Sequence, residues 1–100
     1  MSAYLVVEFT TKDQEVYRDG YSASAGKTAK KYGAEPVAGG TWELLDGEPA
    51  LTSSAIMRFP SREAALSWYN SPEYQALVEV RGVAMDSRFR PVDGLPDQAV

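Results

Sequence analysis

Two absences limit the chemistry open to this 100-residue chain: it contains no histidine and no cysteine. Ser-His-Asp and Cys-His nucleophilic catalysis, and the usual zinc and haem ligation, each need one or the other. No cofactor is expected. Proton transfer would fall to Asp, Glu, Tyr or Lys, with Arg holding an anion. The side chains that could carry such work are the aromatic residues Tyr17, Tyr21, Trp42, Trp68, Tyr69 and Tyr74, together with Arg58, Arg88, Asp86 and Asn70. They could line an aromatic pocket, with a guanidinium gripping a carboxylate or enolate.

Each candidate also has a plainer reading. Aromatic stripes at helical spacing are more often core than pocket, although buried Tyr and Trp still need polar partners. Arg58, Arg88 and Arg90 fall on the same sheet face as Glu8, so a Glu8–Arg58 or Glu8–Arg88 ion pair across the dimer interface is the simpler expectation. Asp86 opens a strand, where Asp is equally a turn or cap residue. Asn70 sits at a helix break and serves the break before any ligand. No pair of these residues reaches the specificity of a known catalytic motif.

The elements that must position them follow from local pattern. Ala3 to Phe9 alternates with a strand's period of two, placing Leu5, Val7 and Phe9 on one face and Tyr4, Val6 and Glu8 on the other. Thr11 with Gln14 and Asp13 are competing caps for a helix running to about Tyr32, with Gly33 as its stop. Gly20 weakens the interior of that helix by about 1 kcal/mol relative to Ala. Residues 34–38 read as a short strand weakened by Pro36, broken at Gly39-Gly40 and resumed over Thr41–Leu45. Asp46-Gly47 turns the chain, Glu48-Pro49 lengthens the loop, and Leu51–Phe59 is the next strand.

Pro60 ends that strand and Ser61 caps a helix with Glu63 in its first turn. Ser71-Pro72-Glu73 starts another, a specific signal. Along it Tyr74, Leu77, Val78 and Arg81 recur at i, i+3, i+4 and i+7, and Gly82 is its expected end. Ala84–Val92 is the last strand, with Ser87 and Phe89 alternating against Arg88 and Arg90; residues 93–100 read as a loose tail. The order is β-α-β-β-α-β, an α+β ferredoxin-like arrangement in one domain: a four-stranded antiparallel sheet with helices on one face.

That arrangement leaves Tyr4, Val6 and Ile56 on a sheet face the chain's own helices cannot cover, so a homodimer through the sheet face is expected. A net charge of −4 argues against nucleic acid, and no stretch approaches the roughly 18 apolar residues of a membrane span. The basic cluster Lys27, Lys30 and Lys31 complements a helix C-terminus. With neither cysteine nor a visible secretory signal, a cytoplasmic location is expected.

The run Phe59-Pro60-Ser61-Arg62-Glu63-Ala64-Ala65, followed by Trp68-Tyr69-Asn70-Ser71-Pro72-Glu73-Tyr74-Gln75, resembles the signature of domain-of-unknown-function family 1330, in the dimeric α/β-barrel superfamily. Asp13 to Tyr17, Tyr21, Tyr32-Gly33, Gly39-Gly40 and Asp86-Ser87-Arg88 add weaker matches, and the resemblance spans about residues 3–93. The family commonly has Gly-Gly where this chain has Gly33-Ala34, and Arg where it has Ala38, so no family site transfers whole. The resemblance implies two sheets paired face to face as a dimeric barrel, with a small-molecule cleft between sheet and helices. Two functions fit: a non-catalytic ligand-binding or stress-related dimer, or a cofactor-independent isomerase or monooxygenase-like enzyme acting on a small carbonyl or aromatic compound. The absence of histidine weighs against the enzyme.

Overall fold

A computed structural model describes residues 2–48 and 51–96; the expected loop at Pro49 and the end of the expected tail lie outside the described residues. Four strands, β1 (Ala3–Thr11), β2 (Glu35–Thr41), β3 (Ser53–Phe59) and β4 (Met85–Asp93), form one antiparallel sheet in the order β2-β3-β1-β4. One face carries the helices. α1 (Gln14–Val16), a π-helical stretch (Tyr17–Ser22) and α2 (Ala23–Lys31) follow β1, while α3 (Arg62–Tyr69), α4 (Pro72–Gln75) and α5 (Val78–Ala84) follow β3.

The period-two reading of the strands decides which side chains meet the helices. Register pairs Ala3 with Phe59, Leu5 with Met57 and Pro91, and Val7 with Ala55 and Phe89, so these line the covered face. Ala3, Leu5, Val7 and Phe59 are buried there with Ala29, Ala65, Trp68, Tyr74 and Met85. The opposite face holds Tyr4, Val6, Glu8, Ile56, Arg58, Arg88 and Arg90.

Caps act where the sequence puts them. Asp13, not Thr11, opens the first helix, accepting from the Val16 N–H at 3.0 Å, because Thr11 is still paired with Met85 in the sheet. Ser61 accepts from Ala64 N–H at 3.1 Å and Ser71 from Tyr74 N–H at 3.2 Å. Gly33 lies at φ +87, where a Cβ would sit 2.8 Å from Pro60, so the helix stop and the strand end are packed against one another. Gly20 has a packing reason as well: a Cβ there would stand 3.2 Å from Val80 Cγ2, so its absence lets the first helix press on α5.

Several boundaries differ from expectation: β3 starts at Ser53 rather than Leu51, and the helix that opens after Ser71 is interrupted at Ala76 and Leu77. β2 runs unbroken through Gly39-Gly40, because the register shift falls earlier, between Pro36 and Ala38, where proline supplies no ladder donor. Residues 42–45 are not strand; only the Trp42 N–H reaches Thr52 O, at 3.2 Å. Gly82 does not end the last helix, which continues to Ala84. That residue is fully buried, and its carbonyl accepts from both Lys12 and Asp13 N–H, at 2.7 and 3.2 Å. Tertiary hydrogen bonds thus outweigh the local preference of glycine.

Candidate functional site

Between sheet and helices lie two cavities. The larger, about 300 Å³, is bounded by Leu5, Tyr69, Arg81, Ser87, Phe89 and Pro91, with Ala65 and Leu66 from α3. The smaller, about 140 Å³, is apolar and includes Phe9, Tyr17, Tyr21, Met57, Trp68 and Phe89 in its wall.

A line of polar groups connects them. Arg81 Nη1 donates to Tyr74 Oη at 2.9 Å and to Tyr69 Oη at 3.2 Å, and the Tyr74 and Tyr21 hydroxyls are 2.6 Å apart. The arginine comes from the middle of α5, Tyr69 from the end of α3, Tyr74 from α4 and Tyr21 from the π-helical stretch. The Arg81 guanidinium carbon lies 4.7 Å from the Phe89 ring centroid and about a further ångström from those of Tyr69 and Tyr74, at 5.7 and 5.8 Å. A cation held over aromatic faces keeps its charge at lower cost than one against aliphatic walls.

Electrostatics assign each group a state. Burial pushes the Tyr21 hydroxyl far above the ordinary phenol range, and the neighbouring Tyr74 pushes it further. Burial raises Tyr74 too, against the opposing hydrogen bonds from Tyr21 and Arg81. Desolvation works against the Arg81 charge, but the hydrogen bonds to Tyr74 and Tyr69 outweigh it and its pKa rises. Near neutral pH Arg81 is therefore a cation beside the neutral phenols of Tyr21 and Tyr74. Among the described residues no carboxylate pairs with Arg81; the ion pairs there are Lys12–Asp86, Arg18–Asp19, Arg58–Glu35, Arg62–Asp93 and Arg90–Glu8. The larger cavity therefore presents a half-buried positive charge, a phenol hydroxyl and the Ser87 hydroxyl to whatever enters it.

The sequence candidates divide between this region and elsewhere. Tyr17, Tyr21 and Trp68 bound the smaller cavity and Tyr69 the larger. Trp68 is chiefly core: it is 1% exposed, its ring lies 4.2 Å from that of Tyr74, and its indole N–H donates to Thr28 Oγ1 at 2.9 Å. Trp42 is remote, half-exposed beyond β2 with its indole N–H on the Leu51 carbonyl at 2.6 Å. Arg58, Asp86 and Arg88 are on the opposite sheet face, because each alternates with a residue that points at the helices. Arg58 binds Glu35 at 2.6 Å and Asp86 pairs with Lys12 at 3.5 Å. Glu8 is buried and within the chain it pairs with Arg90, although Arg88 stands directly opposite it in register. Asn70 is exposed and closes α3 through its backbone N–H on Leu66 O at 3.0 Å.

Arg81 and Ser87 were not among the candidates, yet both line the larger cavity. Each left a signal. Arg81 is a charged residue on the apolar stripe of Tyr74, Leu77 and Val78, and such a residue needs a partner on the buried side. Ser87 alternates with the outward Asp86 and Arg88, so the same motif that suggested them pointed to the helix-covered face at its middle position.

No curated protein matches the sequence. Among solved structures, a protein of unknown function from Rhodopseudomonas palustris superposes with a TM-score of 0.77 at 22% identity, covering 96% of this chain and 84% of that one. SnoaB from Streptomyces nogalater, described as a cofactor-independent oxygenase, gives a TM-score of 0.65 at 10% identity over 96% and 95% of the two chains. A dimeric ferredoxin-like protein of unknown function from Thermobifida fusca gives 0.53 at 10% identity over 93% and 91%. These likenesses establish the ferredoxin-like fold. Residues 2–95 match one family model over nearly the whole sequence, and the chain belongs to that family, the domain of unknown function DUF1330.

Proposed function

We propose that this protein binds a small planar compound through an anionic or carbonyl oxygen, in the larger cavity between sheet and helices, and does so as a homodimer. The observation that carries the binding reading is Arg81: a half-buried cation on a cavity wall with no carboxylate partner among the described residues. A charge in that position is stabilised most by an oxygen anion that accepts from its free N–H groups. Tyr69 and Ser87 supply further hydrogen-bond donors, and the remaining wall is apolar, the usual make-up of a ligand site.

The alternative is a cofactor-independent isomerase or monooxygenase-like enzyme acting on a small carbonyl or aromatic compound; SnoaB is described as a cofactor-independent oxygenase. Arg81 with the Tyr69 hydroxyl would stabilise an enolate oxygen in such a reaction. The reaction also needs a base. Among the described residues none lining the larger cavity is a carboxylate or a lysine, and burial holds the nearby Tyr74 neutral. Binding is the reading the geometry supports best.

Calorimetric titration with naphthalene-2-carboxylate tests it. A charge-assisted hydrogen bond contributes about 1.5–3 kcal/mol, so Arg81→Leu is expected to weaken binding by about tenfold to a hundredfold with the fold retained. Equal affinity in the two proteins would remove Arg81 from the site.

The dimer reading draws on the sheet face opposite the helices, where no element among the described residues covers Tyr4, Val6 and Ile56. The chain is a slab of 46 × 37 × 16 Å with a radius of gyration of 14.1 Å, against about 13 Å for a compact 100-residue domain. Such a slab is half of a sandwich. Sedimentation at micromolar concentration is expected to give a dimer; monomer alone would overturn this part of the proposal. A cysteine-free chain suits a reducing cytoplasm, and no helix among the described residues is long and apolar enough to cross a membrane.

A further inference from the structure

One side chain belongs to both cavities. Phe89 projects from β4 toward the helices, opposite Val7, and stands in the wall of the larger and of the smaller space. Its ring is 5.7 Å from that of Tyr69 and 6.3 Å from that of Tyr74, and it carries the Arg81 guanidinium at 4.7 Å. The polar line passes by the same place. Arg81 faces the larger cavity, Tyr21 faces the smaller, and Tyr74, hydrogen-bonded to both, stands between them.

From this we infer that Phe89 is the partition that sets the length of ligand the site accepts, a reading that rests on the binding function proposed above. Ligand pockets for drug-sized molecules begin near about 300 Å³. The larger cavity is at that threshold and the smaller, at about 140 Å³, is below it. With Phe89 in place, an acid anchored on Arg81 has room for one or two fused rings and then meets the phenyl face. Without it the two spaces become one trough. Its far half is walled by Phe9, Tyr17, Met57 and Trp68, which offers apolar contact and no charge. The ligand class follows: planar aromatic acids, with Arg81 reading the acid and Phe89 limiting the ring system.

The test compares benzoate, naphthalene-2-carboxylate and anthracene-2-carboxylate on the wild-type protein and on Phe89→Ala, Phe89→Leu and Phe89→Trp. Opening the partition adds apolar contact for the third ring alone. Phe89→Ala is therefore expected to raise the anthracene-to-naphthalene affinity ratio by about tenfold, Phe89→Leu by less, and Phe89→Trp to lower it. Phe89→Leu decides the matter if the alanine variant does not fold. An unchanged ratio in a folded variant overturns the partition.

A second arm needs no acid. Crystals under xenon should show two separate xenon-filled cavities in the wild type and one continuous cavity in the opened variant. If no acid binds the wild type, the binding reading fails, and xenon alone then decides on Phe89: a continuous cavity supports the partition and two separate ones overturn it.

Discussion

Replacing Trp68 by alanine is expected to cost about 3–5 kcal/mol of stability, a large fraction of what holds a domain of this size together. The ring is 1% exposed and lies among Phe59, Tyr69 and Tyr74, at centroid distances of 5.7, 6.2 and 4.2 Å. Its N–H donates to the Thr28 hydroxyl, which itself donates to Ala25 O at 2.8 Å, so the indole ties α3 to α2 as well as filling space. Truncation leaves a void the size of an indole beside an apolar cavity that cannot collapse without moving two helices. The other tryptophan is the internal control. Trp42 is 38% exposed in a loop, and Trp42→Ala is expected to cost about 1 kcal/mol or less. Urea unfolding of both variants checks the contrast; similar losses in the two would mean that Trp68 is not a packing centre.

Stability is also expected to fall steeply in alkali because of the two hydrogen-bonded phenols. Tyr21 and Tyr74 both have folded-state pKa values raised above the unfolded phenol value of about 10. Below that value both states carry the protons and pH has no leverage on these groups. Above it the unfolded chain releases protons that the folded chain retains, so the stability present at lower pH is lost as pH rises. Each tyrosine contributes a slope of up to about 1.4 kcal/mol per pH unit, nearly 3 for the pair. Denaturant titrations between pH 8 and 11.5 should show a level region followed by this limb. The double variant Tyr21→Phe, Tyr74→Phe should lose the limb while keeping any contribution from lysines. Phenolate absorbance gives an independent check: of the six tyrosines, Tyr21 should ionise only as the chain unfolds. Ionisation of all six near pH 10 with the fold intact would contradict it.

Most of the architecture was legible because it is written in local rules. Alternation in β1, β3 and β4, the serine caps at Ser61 and Ser71, Pro72 at the first helical position and the stop at Gly33 are each decided by a few neighbouring residues. Where local and tertiary forces compete, the local rule misleads. Gly82 reads as an end, but the Ala84 carbonyl is held by the loop after β1, and that contact is invisible along the chain. Gly39-Gly40 reads as a break, but the irregularity belongs to Pro36 and its neighbour, leaving the glycines paired with Ala55 and Ser54.

The candidate site was legible in composition and less so in membership. Tyr17, Tyr21, Trp68 and Tyr69 follow from helical spacing. Arg58, Asp86 and Arg88 were grouped with them by charge, and strand alternation places them on the other side of the sheet. Arg81 is the instructive omission. Its position seven residues after Tyr74 puts it on the buried stripe, and its two phenol partners are close only because α3, α4 and α5 fold back on one another.

The π-helical stretch gives the first helix a vernier. Tyr17, Tyr21, Ala25 and Ala29 are each four residues apart, and in a straight α-helix every such step drifts by about 40° around the axis. A wider turn over Tyr17–Ser22 takes up that drift at the start, so Phe9 can stack on Tyr17 at 5.7 Å while Tyr21 still reaches Tyr74 and Ala25 and Ala29 still meet the core. The phase of the helix is thus adjusted where the two cavity-lining tyrosines leave it. A lineage that lost one residue there would keep a helix of nearly the same composition, and its two halves would address the sheet from different angles.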